Sequence, residues 1–186
     1  MRREEIVMID SEVIKPYRTT AVDFNETQEL KQHLHSLMQT RNPFYLDRND
    51  FDRILRWKLR QQYGRQKDLR TKNTGEIIKR LTSLALNISH EDKDYELELR
   101  LKLLTALRGV EIPVASAIVA LCFPDQYAVI DFRGWRQVFG MEKRYFTLND
   151  YKRYLKEIKR LAGELGWLPQ EVDLAIWEYD YQTSKR

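Results

Sequence analysis

The segment from Leu97 to Cys122 limits the possible folds more than any other part of the chain. Its apolar residues recur every three or four positions up to Leu107, a spacing typical of an amphipathic helix. Gly109 can end that helix, because glycine adopts the left-handed conformation that other residues resist. Pro113 suits the first turn of a second helix, which is small and apolar. The sequence therefore predicts two helices joined by a tight turn and buried in the core.

Helical periodicity also marks the chain on both sides of this segment. Several of the periodic patterns open at residues that are favoured as helix N-caps: Asn25, Asp47 and Thr74. No strand pattern of useful length competes, apart from residues 127–130. We therefore predict an all-α fold, with residues 1–24 as an extended N-terminal arm and residues 25–182 as a single helical domain.

Composition and charge limit where the protein works. A hydrophobic fraction of 42% with 32% charged residues is typical of a folded globular chain, and the net charge is only +4. No stretch approaches the roughly 20 apolar residues that span a bilayer, and the first residues are too acidic and polar for a signal peptide. The single cysteine, Cys122, lies in an apolar run and cannot form an internal disulfide. We expect a cytoplasmic protein with no membrane partner.

Metal and oligomer signals are lacking in the sequence. The three histidines lie on polar segments without cysteines or carboxylates at metal-ligand spacing, so we predict no metal and no cofactor. No long heptad repeat is visible, which favours a monomer.

The block LTALRGVEIPVASAIVALCFPDQYAVIDFRGW, residues 104–135, carries the clearest functional signal. Its two helices are joined by Arg108, Gly109, Val110, Glu111 and Ile112, and the unit resembles a helix-hairpin-helix motif. After a short proline-containing loop, PDQYAVIDFRGW places an aspartate, Asp131, at the start of the next helix. This arrangement resembles the helix-hairpin-helix DNA glycosylase superfamily of base-excision repair, and the resemblance covers about forty residues.

This resemblance implies a helical domain of the DNA-glycosylase type with the hairpin at its centre. It implies that the hairpin backbone contacts a DNA phosphate and that Asp131 is the catalytic carboxylate, acting on a flipped-out base. The lysine nucleophile of bifunctional members would fall at Pro113, so the resemblance implies a monofunctional N-glycosylase. Glu111 replaces the final glycine of the hairpin, and its charge opposes a phosphate there.

Two other interpretations stay open at the level of sequence. The first is a non-catalytic nucleic-acid or protein-binding module on the same fold, which Pro113 and Glu111 favour. In that case Asp131 would serve only as the N-cap of a helix beginning at Phe132. A helical scaffold whose basic face only confers solubility is the third possibility.

Basic and aromatic residues outside the hairpin supply further candidates for DNA binding. Residues 53–72 form a strongly basic stretch that includes Arg56 and Lys58, and Arg133 follows Asp131. A solvated helix face, or pairing with local carboxylates, is the alternative for these cations. Trp57 and Tyr45 are candidates for stacking on a base, with a place in the core as the alternative.

Overall fold

A computed structural model describes residues 9–184, in which all regular secondary structure is helical and no strand occurs. The α-helices are α1 (Ser11–Ile14), α2 (Phe24–Thr40), α3 (Arg48–Leu59), α4 (Lys67–Arg70), α5 (Gly75–Asn87), α6 (Lys93–Thr105), α7 (Ile112–Cys122), α8 (Phe132–Phe139), α9 (Leu148–Leu165) and α10 (Pro169–Thr183). Short 3₁₀ turns follow α1 and α3, at Lys15–Tyr17 and Arg60–Gln62. The predicted all-α class is confirmed. No helix among residues 9–184 is long and apolar enough to cross a bilayer.

The described residues form two compact units, and each contains buried apolar side chains. Residues 9–26 and 123–184 make up one, which we call the terminal unit, and residues 27–122 make up the other, the central unit. The division falls in the first turn of α2 and directly after α7.

The central unit is built around the predicted hairpin. Helix α6 packs on α5 and on α7, while α3 packs on α5 and α7. Helix α7 is buried on all sides from Val114 to Cys122, as its small and nearly uninterrupted apolar sequence predicts. Asp47 and Thr74 cap α3 and α5 through their side chains, so both start signals are confirmed.

The terminal unit packs α8, α9 and the 3₁₀ turn against α10. Residues 9–23 are not extended. Asp10 caps the short helix α1, and Ile14 is fully buried. Residues 1–8 of the predicted arm lie outside the described residues. Residues 127–130, which the sequence offered as a possible strand, form a buried loop. Side chains supply its backbone hydrogen bonds: the Tyr151 hydroxyl donates to the Ala128 carbonyl at 2.9 Å, and the Asp173 carboxylate accepts from the Val129 amide at 2.6 Å.

Candidate nucleic-acid interface

The hairpin turn has the geometry that its sequence predicts. Helix α6 ends at Thr105, α7 begins at Ile112, and Gly109 between them has a φ of +73°. A side chain at this φ would strain the backbone, so the turn needs its glycine. Val110 is buried and anchors the turn in the core, whereas Arg108 and Glu111 are exposed on its outer side.

Asn73, just before α5, clamps the turn from the side. Its side-chain amide donates to the Arg108 carbonyl and accepts from the Arg108 amide, both at 2.9 Å. The Arg48 guanidinium in turn donates to the Asn73 carbonyl at 2.8 Å. Asn73 is buried, so these bonds are shielded from water. The clamp therefore holds the backbone of Arg108 and the guanidinium of Arg48 beside the hairpin turn.

Arg70 ties the basic stretch to the same turn. A Cβ atom added at Gly109 would lie 2.6 Å from Arg70 Cγ, so the arginine stem packs directly on the glycine. The Arg70 guanidinium donates to the carbonyls of Tyr63 and Arg65 and is buried. The arginine thereby holds residues 63–65 close to the turn. The remaining cations of this segment are exposed: Arg53, Arg60, Arg65, Lys67 and Lys72.

Arg56 and Lys58 differ in their surroundings. The Arg56 guanidinium is exposed, lies over the Tyr63 ring and forms an ion pair of 2.7 Å with Asp52. Burial raises the pKa of Asp52, but hydrogen bonds from Tyr63 and Arg56 outweigh burial and lower that pKa overall. Lys58 is half-buried. Arg56 is thus partly neutralised, and the exposed cations that the contacts place beside the hairpin turn are Arg48 and Arg108.

The two predicted stacking residues lie in different environments. Trp57 is buried in the central unit, and its indole N–H donates to the Thr27 hydroxyl at 2.9 Å, so its ring is not exposed to a base. Tyr45 is half-buried, with the Arg41 guanidinium 4.7 Å and the Lys79 ammonium 4.4 Å from its ring centroid. Both residues serve the packing of the central unit in this arrangement.

Asp131 lies in the terminal unit, where it caps α8. Its Oδ1 accepts from the amides of Arg133 and Gly134 at 3.0 and 2.9 Å, and the side chain is half-buried. A Cβ atom added at Gly134 would overlap the hydroxyl of Tyr154. That hydroxyl is buried and has no hydrogen-bond partner among residues 9–184. Burial raises the pKa of Tyr154 well above its usual range, and the carboxylates of Asp173 and Asp131 raise it further.

Arg133 forms an ion pair with a buried carboxylate, that of Asp180. Asp180 is fully buried and accepts from Arg133, Arg136 and Gln137, each at 2.7 Å at its shortest. Burial raises the pKa of Asp180, but these hydrogen bonds outweigh burial and hold it below its usual range. Arg133 therefore pairs with a carboxylate, but with one that is distant in the sequence and not with a local one. No sequence pattern pointed to Asp180, because its partners lie more than forty positions away.

The residues 9–184 contain no group of three or more histidine, cysteine or acidic side chains that could hold a metal ion. Cys122 is buried, and burial raises the pKa of its thiol. His33 Nε2 donates to the Asp50 carboxylate at 2.9 Å, and this bond helps to lower the pKa of Asp50 against the effect of burial.

Comparison with known proteins gives no match to a protein-family model, to a curated protein or to a solved structure. The glycosylase resemblance thus depends on residues 104–135 alone.

Proposed function

We propose that the chain binds nucleic acid, with duplex DNA as the ligand class, through the hairpin turn of the central unit. The observation that carries the proposal is the clamp of Asn73 on the Arg108 backbone, which holds a left-handed glycine turn beside exposed cations. A rigid turn with clustered cations can meet a phosphate backbone at little entropic cost and gains affinity by releasing counterions.

Glu111 opposes this contact and makes the proposal easy to test. Its exposed carboxylate lies at the N-terminus of α7, where a phosphate would otherwise meet the positive end of the helix. Removing that charge should therefore strengthen binding, whereas removing Arg108 should weaken it. Opposite effects from two neighbouring residues are not expected of a surface that only confers solubility.

The experiment measures duplex affinity by fluorescence anisotropy between about 50 and 200 mM salt. We expect Glu111→Gln to raise the affinity and Arg108→Gln to lower it, each by about threefold, with a smaller salt slope for Arg108→Gln. Lys102→Gln is the matched control, because Lys102 is exposed on α6 and pairs with Glu98. Undetectable binding at 50 mM salt, or equal effects of Arg108→Gln and Lys102→Gln, would contradict the proposal.

A second function on the same fold is hydrolysis of an N-glycosidic bond by a monofunctional enzyme acting on a damaged or mispaired base. The observation that favours it is the half-buried Asp131 carboxylate, whose orientation two backbone amides fix through one oxygen. An oriented carboxylate can activate water or stabilise a positively charged sugar. Pro113 occupies the second position of α7 and offers no amine, so the proposed chemistry includes no Schiff-base step.

Asp131→Asn separates this chemistry from the capping role. Asparagine caps helices about as well as aspartate, so folding and DNA binding should change little. On oligonucleotides carrying damaged bases, we expect base release to fall at least 100-fold, while Asp125→Asn, an exposed neighbour, keeps wild-type rates. Wild-type protein that binds DNA but releases no base from any lesion would instead support the non-catalytic binding module.

A further inference from the structure

Tyr145 is the most exposed large hydrophobic side chain among the described residues, at 84% of its full accessible surface. It lies in the terminal unit, in the loop that joins α8 to α9. Its neighbour Arg144 is exposed too and makes no ion pair with the rest of the described chain. We call Arg144 and Tyr145 the loop tip. Both side chains are exposed, so the packing of the terminal unit does not account for their presence.

Contacts on both sides of the tip anchor this loop. On the first side, Gly140 ends α8 in the left-handed conformation, and Glu142 pairs with Arg136 at 2.7 Å. On the second side, the Phe146 ring lies 5.6 Å from the ring of Trp135, which is buried, and Thr147 caps α9.

Lys143 adds an ion pair of 2.6 Å with the buried carboxylate of Asp150. Residues on either side of the tip are thus fixed, while the tip projects into solvent. Because the backbone on both sides of the tip is anchored, the loop loses little backbone freedom when the tip binds a ligand.

The charge around the tip favours an anionic partner. Residues 141–153 contain four basic and two acidic side chains, and both acids, Glu142 and Asp150, already form ion pairs. A flat aromatic ring beside an unpaired guanidinium matches the chemistry of a nucleotide, which presents a base face and a phosphate together. An acidic peptide would satisfy Arg144 but would leave the ring of Tyr145 without a matching plane.

We propose that the loop tip binds an unpaired nucleotide, with Tyr145 stacked on its base and Arg144 paired with its phosphate. The inference rests on the proposed nucleic-acid function and extends it. The ligands of the chain would include unpaired bases as well as the phosphates of duplex DNA. Because stacking uses the face of the base rather than its edges, the contact is insensitive to base identity.

The test compares two single-stranded oligonucleotides of equal length, one of thymidines and one with abasic sites in the same backbone. The wild-type chain should bind the thymidine strand about tenfold more tightly, since only that strand offers bases for stacking. Tyr145→Ser should reduce this ratio to about one, whereas Tyr145→Trp should keep it. Arg144→Ala should weaken both strands by a similar factor, because both carry the phosphates.

Tyr95→Ser is the matched control, since Tyr95 is a second exposed tyrosine, on α6 of the central unit. It should leave the ratio unchanged. Equal wild-type affinity for the two strands, or a ratio that survives Tyr145→Ser, would overturn the inference, and so would a tip that binds a protein instead of either strand. Binding of a fully paired duplex, measured in the same series, reports on the hairpin. If the duplex binds but the two single strands bind equally, only the loop-tip inference fails. If no ligand binds at all, the proposed nucleic-acid function fails.

Discussion

The turn of the hairpin and the start of α8 both contain a glycine that a neighbouring side chain touches, but the two sites are braced differently. At Gly109 the neighbour is the stem of Arg70, and the neutral amide of Asn73 bonds the turn's main chain. At Gly134 the neighbour is the buried Tyr154 hydroxyl, and the arginines of α8 bind a buried carboxylate.

This difference decides which charges a ligand can use. Neutral hydrogen bonds hold the hairpin turn, so Arg108 remains exposed on its surface. In α8 the charges of Arg133 and Arg136 offset the cost of burying Asp180. Arg108 therefore stays exposed beside the neutral brace, where we propose that it contacts a ligand, whereas Arg133 and Arg136 have a structural role at the ionic brace.

The largest expected effect is at the ionic brace. Asp180→Ala leaves two guanidinium groups without their shared acceptor, and we expect it to lower the free energy of unfolding by about 4 kcal/mol at neutral pH. The folded-state pKa of Asp180 is lowered, so its contribution is present above the ordinary aspartate pKa and is lost as the pH falls through the folded value.

Urea denaturation at several pH values measures this effect. The gap between wild type and Asp180→Ala should narrow below about pH 4. Glu164→Gln, which breaks an exposed pair with Arg160, is the control and should cost under about 1 kcal/mol. A gap that is constant with pH would show that the brace is not ionic.

The second effect concerns the contact at Gly134. Gly134→Ala forces a methyl group onto the Tyr154 hydroxyl in a buried site, which should cost about 3 kcal/mol. Tyr154→Phe removes that hydroxyl, which has no hydrogen-bond partner, and should be neutral or stabilising by itself. The double variant should recover most of the loss, as a thermodynamic cycle would measure.

Gly163→Ala is the control for this pair, because its added methyl group would meet open space on α9. It should stabilise the chain by up to about 1 kcal/mol through helix propensity. Additive effects of Gly134→Ala and Tyr154→Phe would refute the contact.

The smallest expected effect is at the neutral brace. Asn73→Ala leaves the Arg108 amide and carbonyl without their partner and should cost about 2 kcal/mol. The loosened turn should also bind duplex DNA several-fold more weakly, whereas Asn149→Ala, an exposed change on α9, should alter neither quantity. Loss of stability with unchanged affinity would separate the clamp from the proposed interface.

Residues close in sequence account for the parts of the fold that could be predicted. Asp47, Thr74 and Asp131 act as caps within three positions of themselves, so their roles follow from local chemistry. The same holds for Gly109, whose φ is set by the turn that contains it. Trp57 could not be assigned in this way, because its partner Thr27 lies on another helix thirty positions away.

The stacking residues show the same limit at the candidate sites. Sequence reasoning favoured Trp57 and Tyr45, whose neighbours are basic, yet exposure depends on what packs over a ring. Tyr145 was not among the predicted residues, although it follows Arg144 and lies between Gly140, which can end a helix, and Thr147, which can cap one. Gly140 and Thr147 mark the ends of a loop, and loops run over the protein surface. The position of Tyr145 in that loop was therefore the signal that could have predicted its exposure.

Most of the longer helices, the caps at Asp47 and Thr74 and the hairpin turn follow from the sequence, because they depend on contacts among residues a few positions apart. The short helices α1 and α4 were not predicted, and Asn25 lies inside α2 instead of capping it. Only the tertiary structure decided which charges are buried, since Asp180 meets Arg133 and Arg136 from across the terminal unit. It likewise decided that Asn73 clamps Arg108. Burial and distant hydrogen bonds depend on how helices pack, and a periodic pattern shows which face is apolar but not which partner covers it.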